Sequence, residues 1–244
     1  MTDHAILIPT EEGVVGGIVS QPDHEQRAAL ILLPGYGRPA RSGVNAFWTR
    51  TARACAELGL VTLRTDYSRE GETLPIGEGG SGQIWKRDLD LHILQQIVPW
   101  FRQRAGDVPL LLAGICSGAR LAIEHAGSEP EAVAETFLIV PHLKALAQPG
   151  SEGAAQSAGL DAVDPLVVDR MRAILTRAPS WILVGECDSP DVPTLQRLVG
   201  PTPHPLEVEV VPATALHLLD QPHLQDEVAR RLAARLSRAL AVAA

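Results

Sequence analysis

Short apolar runs recur along the chain, separated by longer segments in which apolar residues return every three or four positions. The runs "AILIP" and "VVGGIVS" flank the turn-like "TEEG", which predicts an antiparallel hairpin. Six further runs predict strands, and those between helices should be buried and parallel: "AALILLP", "LVTLRTD", "VPLLLAGI", "ETFLIVP", "SWILVGE" and "LEVEVVP". The pattern therefore predicts eight strands.

Five segments with helical spacing lie between or after these strands. They are "NAFWTRTARACAEL", stopped by Gly59, "IWKRDLDLHILQQIVPWFRQR", "SGARLAIEHA", stopped by Gly127, "DPLVVDRMRAILTR", and the C-terminal segment from about Pro222. Alternation of strands and helices requires right-handed crossovers. We expect a single α/β domain over 1–244 with an eight-stranded, mostly parallel, doubly wound sheet and flanking helices.

One connection is much longer than the others. Residues 141–179 separate two strands and include "AQPGSEGAAQSAGL", which is rich in Gly, Ala and Ser. Connections of this length are uncommon in compact domains unless they serve a function. We expect a small lid or cap insertion here, with a plain flexible loop as the alternative.

Composition narrows the class of protein. With 244 residues, 45% of them hydrophobic and 20% charged, the chain has the profile of a folded globular protein. Its net charge of −8 disfavours nucleic acid as a partner, and it has neither a signal-like start nor a long apolar stretch. Three cysteines without zinc-like spacing argue against disulfides and structural metal. A soluble protein of the cytoplasm, without a membrane partner, is expected.

The stretch "GICSGA", residues 114–119, joins a predicted strand to a predicted helix and contains two candidate nucleophiles. In a nucleophile elbow the central residue occupies a strained turn, so the positions two before and two after it must be small. Gly114 and Gly118 flank Cys116 in this register, whereas Ile115 would crowd a turn centred on Ser117. The helix start also favours the thiolate form of Cys116. The alternative is a buried, inert cysteine.

A nucleophile needs a base, and the base needs a carboxylate to orient it. The segment "WILVGECDSPDVP" places Asp188 after a strand, three residues beyond Gly185, and Asp191 offers a second carboxylate. The segment "VEVVPATALHLLD" places His217 after the last strand, with His223 as the reserve base. We predict a triad of Cys116, His217 and Asp188.

The order nucleophile, acid, histidine at strand ends resembles that of the α/β-hydrolases, in particular the cysteine variant found in dienelactone hydrolases. The likeness covers nearly the whole chain: "LLPGYG" resembles the oxyanion loop after the third strand, and "LRTDYSREGET" the loop after the fourth. The resemblance implies an oxyanion hole built from the backbone N–H groups of Tyr36 and Ser117. Pro34 stands where the family usually has histidine.

Further residues are candidates for binding substrate. Arg64, Arg69 and Arg120 lie near predicted strand ends or the elbow, where an arginine could clamp an acidic substrate, although a structural ion pair is the alternative for each. Gly35 belongs to the oxyanion loop, and Trp85 could line an apolar pocket or pack in the core. Trp48 and Tyr36 share this pocket hypothesis. Cys55 lies in mid-helix and is predicted to be core packing.

Together these residues predict a hydrolase that transfers the acyl group of an ester, thioester or lactone first to Cys116 and then to water. No cofactor is needed, and the partner is a small acyl substrate, free or carrier-bound. One alternative is a non-hydrolytic acyltransferase or a carboxylate-eliminating lyase of a specialised-metabolite, polyketide-type pathway. A second alternative is an inactive binding protein. The sequence leaves substrate and oligomeric state open.

Overall fold

The structure is a computed structural model. It describes residues 1–35, 41–66, 74–75, 87–141, 169, 172–188, 192, 195, 198, 204–216 and 221–242. All eight predicted strands are confirmed, and a ninth, two-residue strand joins them. The strands are β1 (Thr2–Thr10), β2 (Gly13–Gln21), β3 (Ala28–Leu33), β4 (Leu60–Thr65), β5 (Leu74–Pro75), β6 (Leu110–Ile115), β7 (Glu135–Ile139), β8 (Ser180–Gly185) and β9 (Leu206–Val211).

Four of the five predicted helices are described over most of their length. They are α1 (Phe47–Glu57), α2 (Arg87–Ala105), α3 (Ser117–Ser128) and α4 (Pro222–Val242). Of the fifth, residues 169 and 172–175 are described and helical. Gly59 has a φ of +84° just beyond α1, as its predicted role in ending that helix requires. Helix α3 was predicted to end at Ala126, before Gly127, and it continues for two further residues to Ser128.

The chain divides into two compact units, the first comprising Met1–Leu112 with Leu219–Ala244. Within this unit the strand order is β1-β2-β4-β3, and β5 pairs with β2. The hairpin β1–β2 and the β2–β4 pair are antiparallel, and β3 and β4 are parallel. All six residues of β3 are buried, as expected of a strand that is covered on both faces.

The second unit comprises Ala113–Leu218 and contains the predicted nucleophile and acid. Its strand order is β6-β7-β8-β9, and the β7–β8 and β8–β9 pairs are parallel. Helix α3 follows β6 directly, and the six residues of β8 are all buried. Parallel strands present their C-terminal ends at one edge of the sheet, so the loops after β7, β8 and β9 share that edge. The Cys116 N–H, just after β6, donates to the carbonyl of Ile139, the last residue of β7.

Strands and helices alternate along the chain as predicted, and the predicted α/β class is confirmed. The predicted lid over 141–179 lies largely outside the described residues. Among the helices that the structure describes, none has the length and apolar character that crossing a bilayer requires.

Candidate active site

Cys116 occupies the turn between β6 and α3. Its backbone adopts φ 58° and ψ −118°, a conformation that L-residues other than glycine rarely take. The Cys116 N–H donates to the Ile139 carbonyl at 3.0 Å, and the Cys116 carbonyl accepts from the Arg120 N–H at 3.2 Å. The side chain is half-buried. The turn is thus held from both sides, and Cys116 rather than Ser117 occupies its strained position.

The two glycines around Cys116 are in direct contact. A Cβ atom built on Gly114 would lie 2.3 Å from the carbonyl carbon of Gly118 and 2.5 Å from the backbone nitrogen of Ala119. Both distances are far below van der Waals contact, so any side chain at position 114 would displace the first turn of α3. The small residues therefore serve the turn centred on Cys116.

Ser117 is the first residue of α3 and is buried. Backbone N–H groups at a helix N-terminus carry partial positive charge, so they favour a developing oxyanion. The other predicted oxyanion donor, Tyr36, lies outside the described residues. Gly35, in the first unit, is described and buried.

The Asp188 carboxylate is buried and its position is fixed by backbone groups. Its Oδ2 atom accepts the Gly185 N–H at 2.6 Å and the Leu216 N–H at 3.0 Å, and its own N–H donates to the Gly185 carbonyl at 2.9 Å. A Cβ on Gly185 would lie 2.1 Å from the Thr214 carbonyl oxygen, so glycine is required there. Asp188 thereby connects the loop after β8 to the residue that precedes His217 in the chain.

The predicted base is His217, with His223 as the reserve base, and Asp191 is the alternative acid. His217 and Asp191 lie outside the described residues. His223 is described in the first turn of α4, where its side chain is exposed to solvent. The predicted triad therefore has two described members, Cys116 and Asp188, both within the second unit.

The arginines proposed to clamp substrate have structural partners. Arg64 is buried, donates to Thr49 Oγ1 at 2.5 Å, and lies 3.6 Å from a carboxylate oxygen of Asp3. Burial lowers the pKa of Arg64, and the Asp3 charge opposes this effect. Arg120 is buried too, and its Nε donates to Glu124 at 3.0 Å. Both contacts are the structural ion pairs named as the alternative. Arg69 and Trp85 lie outside the described residues.

The other two cysteines differ sharply in environment. Cys55 is buried in α1, and desolvation raises the pKa of its thiol to about 12, so it stays protonated at neutral pH. This agrees with its predicted packing role. Cys187 is exposed in the loop between β8 and Asp188. Trp48 is buried in α1 against Phe47, with ring centroids 4.8 Å apart, which is core packing rather than pocket lining.

One group of side chains among the described residues has the composition of a metal-binding set. The ligand atoms of Glu11, Glu12 and His92 all lie within 4.8 Å of one another, and Gln96 Nε2 donates to Glu12 at 2.9 Å. The group joins the β1–β2 turn to α2 in the first unit. Its largely exposed carboxylates and imidazole also form ordinary surface ion pairs.

Sequence reasoning missed two residues that the structure brings forward. Glu186 accepts the Ala213 N–H at 2.7 Å and so ties the loop after β8 to the loop after β9. Glu186 stands two residues before Asp188 in the sequence. An acidic residue so close to the predicted catalytic acid was the signal that could have identified it. His125 is fully buried in α3, and neither of its ring nitrogens has a hydrogen-bond partner among the described residues, which no local sequence pattern indicates.

Solved structures with the same fold are numerous, although no protein-family model and no curated protein sequence matches the chain. A thermostable carboxyl esterase from Bacillus coagulans superposes with a TM-score of 0.72 at 13% identity, over 98% of this chain and 99% of that one. Dienelactone hydrolase from Anabaena variabilis gives 0.68 at 15% identity, over 95% of each chain. An α/β serine hydrolase homologue from Coxiella burnetii superposes with a TM-score of 0.63 at 18% identity, over 95% of this chain and 98% of that one.

These similarities extend over nearly the whole chain, and they show that it has the α/β-hydrolase fold. The resemblance inferred from the elbow and from the order of the candidate residues is confirmed at the level of the fold. In this chain the residue at the centre of the elbow is a cysteine, whereas the Coxiella structure is described as a serine hydrolase homologue.

Proposed function

We propose that the protein is a hydrolase that cleaves an ester, thioester or lactone through an acyl-enzyme on Cys116. The observation that carries the proposal is the strained backbone of Cys116 at the N-terminus of α3, held in place by the contact of Gly114 with Gly118. Strain of this kind persists only where the surrounding structure maintains it, and it is concentrated at functional sites.

In the proposed reaction His217 takes the proton of the Cys116 thiol, and the sulfur attacks the substrate carbonyl carbon. The N–H groups of Ser117 and Tyr36 stabilise the oxyanion, and the collapse of the intermediate expels an alkoxide or thiolate that takes the proton from His217. Water, deprotonated by His217, then attacks the thioester, and the Cys116 sulfur leaves. The scheme uses no metal or organic cofactor.

Asp188 orients the imidazole in this scheme. Because its Oδ2 accepts two backbone N–H groups, the plane of the carboxylate is fixed, and we assign Oδ1 as the acceptor of the His217 N–H. Burial of Asp188 supports this assignment, since a charge-assisted hydrogen bond is stronger away from water. Asp191 would replace it only if Asp188 proved dispensable.

The known structures of the same fold support the substrate class. They include a carboxyl esterase and a dienelactone hydrolase, whose names denote the cleavage of an ester and of a lactone. We propose a small acyl substrate, free or carrier-bound, and a reducing compartment such as the cytoplasm, where a thiol nucleophile stays reduced.

Single substitutions test the triad. Cys116→Ala, His217→Ala and Asp188→Asn should each lower kcat for an aryl ester by about 10³-fold or more, and a double variant should lose little beyond a single one. His223→Ala and Cys187→Ser serve as matched controls and should keep wild-type turnover. Wild-type turnover in Cys116→Ala would refute the proposal, and loss of turnover in His223→Ala would reassign the base.

The fate of the acyl group separates hydrolysis from its rivals. In oxygen-18 water, hydrolysis places the heavy oxygen in the released acid. Elimination breaks the alkyl–oxygen bond, so it yields an unlabelled carboxylate and a new alkene. Transfer yields an acylated acceptor instead of an acid. We expect a labelled acid. An unlabelled carboxylate with a new alkene would show that the enzyme is a lyase, and an acylated acceptor would show that it is an acyltransferase.

A further inference from the structure

Three hydrogen bonds join residues 186–188 to residues 213–216, and we refer to them as the clamp. The Glu186 carboxylate accepts the Ala213 N–H at 2.7 Å, the Cys187 N–H donates to the Thr214 carbonyl at 2.8 Å, and the Asp188 carboxylate accepts the Leu216 N–H at 3.0 Å. The clamp therefore holds the four residues that lead directly to position 217.

The clamp begins where regular pairing of β8 with β9 ends. Gly185 is the last residue of β8 in register, opposite Val211, and the Glu186 N–H still donates to the Val211 carbonyl at 2.9 Å. Beyond this point the Cys187 N–H donates to the Thr214 carbonyl, three residues past Val211, so the regular register has ended. The Glu186 side chain supplies the acceptor for Ala213, which the regular ladder no longer provides.

Ala213 needs such an acceptor because its backbone is strained. Its φ is +50°, in the left-handed region that alanine rarely adopts. Ala213 and Glu186 are both exposed, so no core packing fixes this conformation. A charged acceptor makes a stronger hydrogen bond to a backbone N–H than water does, and it selects the bent conformation.

We propose that Glu186 is a positioning residue for the catalytic base. By holding Ala213 in its left-handed conformation, it fixes the path of residues 213–216, which directly precede His217 in the sequence. Asp188 then performs two tasks, since the carboxylate that orients the imidazole also fixes the Leu216 N–H. This inference rests on the proposed function, in which His217 serves Cys116.

The test compares Glu186→Ala with Glu186→Gln. The amide oxygen of glutamine can still accept the Ala213 N–H, whereas alanine offers no acceptor. For Glu186→Ala we expect kcat for p-nitrophenyl acetate to fall about 10-fold with little change in KM, less than the ~10²-fold that a 1 Å misplacement can cost. Glu186→Gln should recover most of the rate. Glu131→Ala, an exposed glutamate of the same unit, is the matched control and should behave as wild type.

A second readout does not depend on turnover. The rate of Cys116 alkylation by iodoacetamide, followed by peptide mass mapping over a range of pH, reports how well the imidazole supports the thiolate. In Glu186→Ala the reactivity at neutral pH should fall toward that of an ordinary thiol, and Glu186→Gln should keep the wild-type profile. Thermal unfolding of each variant shows that the fold is retained.

Two results would overturn the inference. One is wild-type kcat and a wild-type alkylation profile in Glu186→Ala, and the other is equal impairment of Glu186→Gln and Glu186→Ala. Failure of the proposed function looks different, because Cys116→Ala would then hydrolyse the ester at the wild-type rate. In that case an altered Cys116 alkylation profile in Glu186→Ala, with a wild-type profile in Glu186→Gln, would still support the positioning role.

Discussion

Replacing the candidate nucleophile by glycine should stabilise the protein relative to replacing it by alanine. Both Cys116→Gly and Cys116→Ala remove the sulfur, so their difference isolates the backbone. At φ 58° and ψ −118° the residue lies in the mirror image of the extended region, which glycine enters as readily as the normal one. Alanine keeps the strain that the elbow imposes on cysteine.

The expected difference follows from two opposing terms. Relief of strain at such a position contributes about 1–3 kcal/mol, and the greater freedom of glycine in the unfolded chain costs about 0.5–1 kcal/mol. Cys116→Gly should therefore exceed Cys116→Ala in free energy of unfolding by about 1 kcal/mol, or about 2–4 °C in Tm for a chain of this size.

Urea unfolding of the two variants, followed by circular dichroism, measures this difference. The control is Ala234→Gly at an exposed position of α4, where glycine should destabilise by about 1 kcal/mol. The opposite signs at the two positions are the prediction. If Cys116→Gly were less stable than Cys116→Ala by the margin seen at position 234, the turn would hold no strain and the elbow argument would fail.

Two further predictions concern Gly114 and His125. Gly114→Ala should lower the free energy of unfolding by about 3 kcal/mol or more, because its Cβ would meet the backbone of Gly118. The control Gly106→Ala, at φ +77° and with open space around it, should lower it by about 1 kcal/mol, and equal losses in urea unfolding would contradict the packing argument. His125 has its pKa lowered by burial, so the unfolded chain binds the additional proton and stability should fall as pH drops below about 6.5, by up to ~1.4 kcal/mol per pH unit. His125→Leu should flatten this dependence between about pH 7.5 and 5, and an unchanged slope would show that His125 does not cause it.

The strands and helices were predictable because burial on both faces of a parallel sheet leaves an uninterrupted apolar run, as in β3 and β8. The elbow was predictable for a similar local reason, since the spacing of Gly114, Cys116 and Gly118 carries the steric requirement. The strand β5 was missed because two residues, Leu74 and Pro75, are too few to show a period. Its formation depends on pairing with β2, which no local pattern encodes.

Long-range contacts account for the rest. Nothing near Arg64 in the sequence indicates that its guanidinium meets Asp3, because the two lie on different strands. The tie between Glu186 and Ala213 likewise spans 27 residues and arises only when β8 and β9 pair. A residue whose role is set by a distant backbone N–H cannot be identified from spacing, although an acid beside a predicted catalytic acid is a position to examine.

The central claim is that Cys116 carries the acyl group, and a quenched reaction tests it most directly. Mixing the enzyme with p-nitrophenyl acetate and stopping the reaction with acid before deacylation should leave one acetyl group per chain in the intact mass. Peptide mapping should place that group on Cys116, and Asp188→Asn should slow its formation. Acetylation of Ser117 instead, or sustained turnover with no adduct on either residue, would contradict the account.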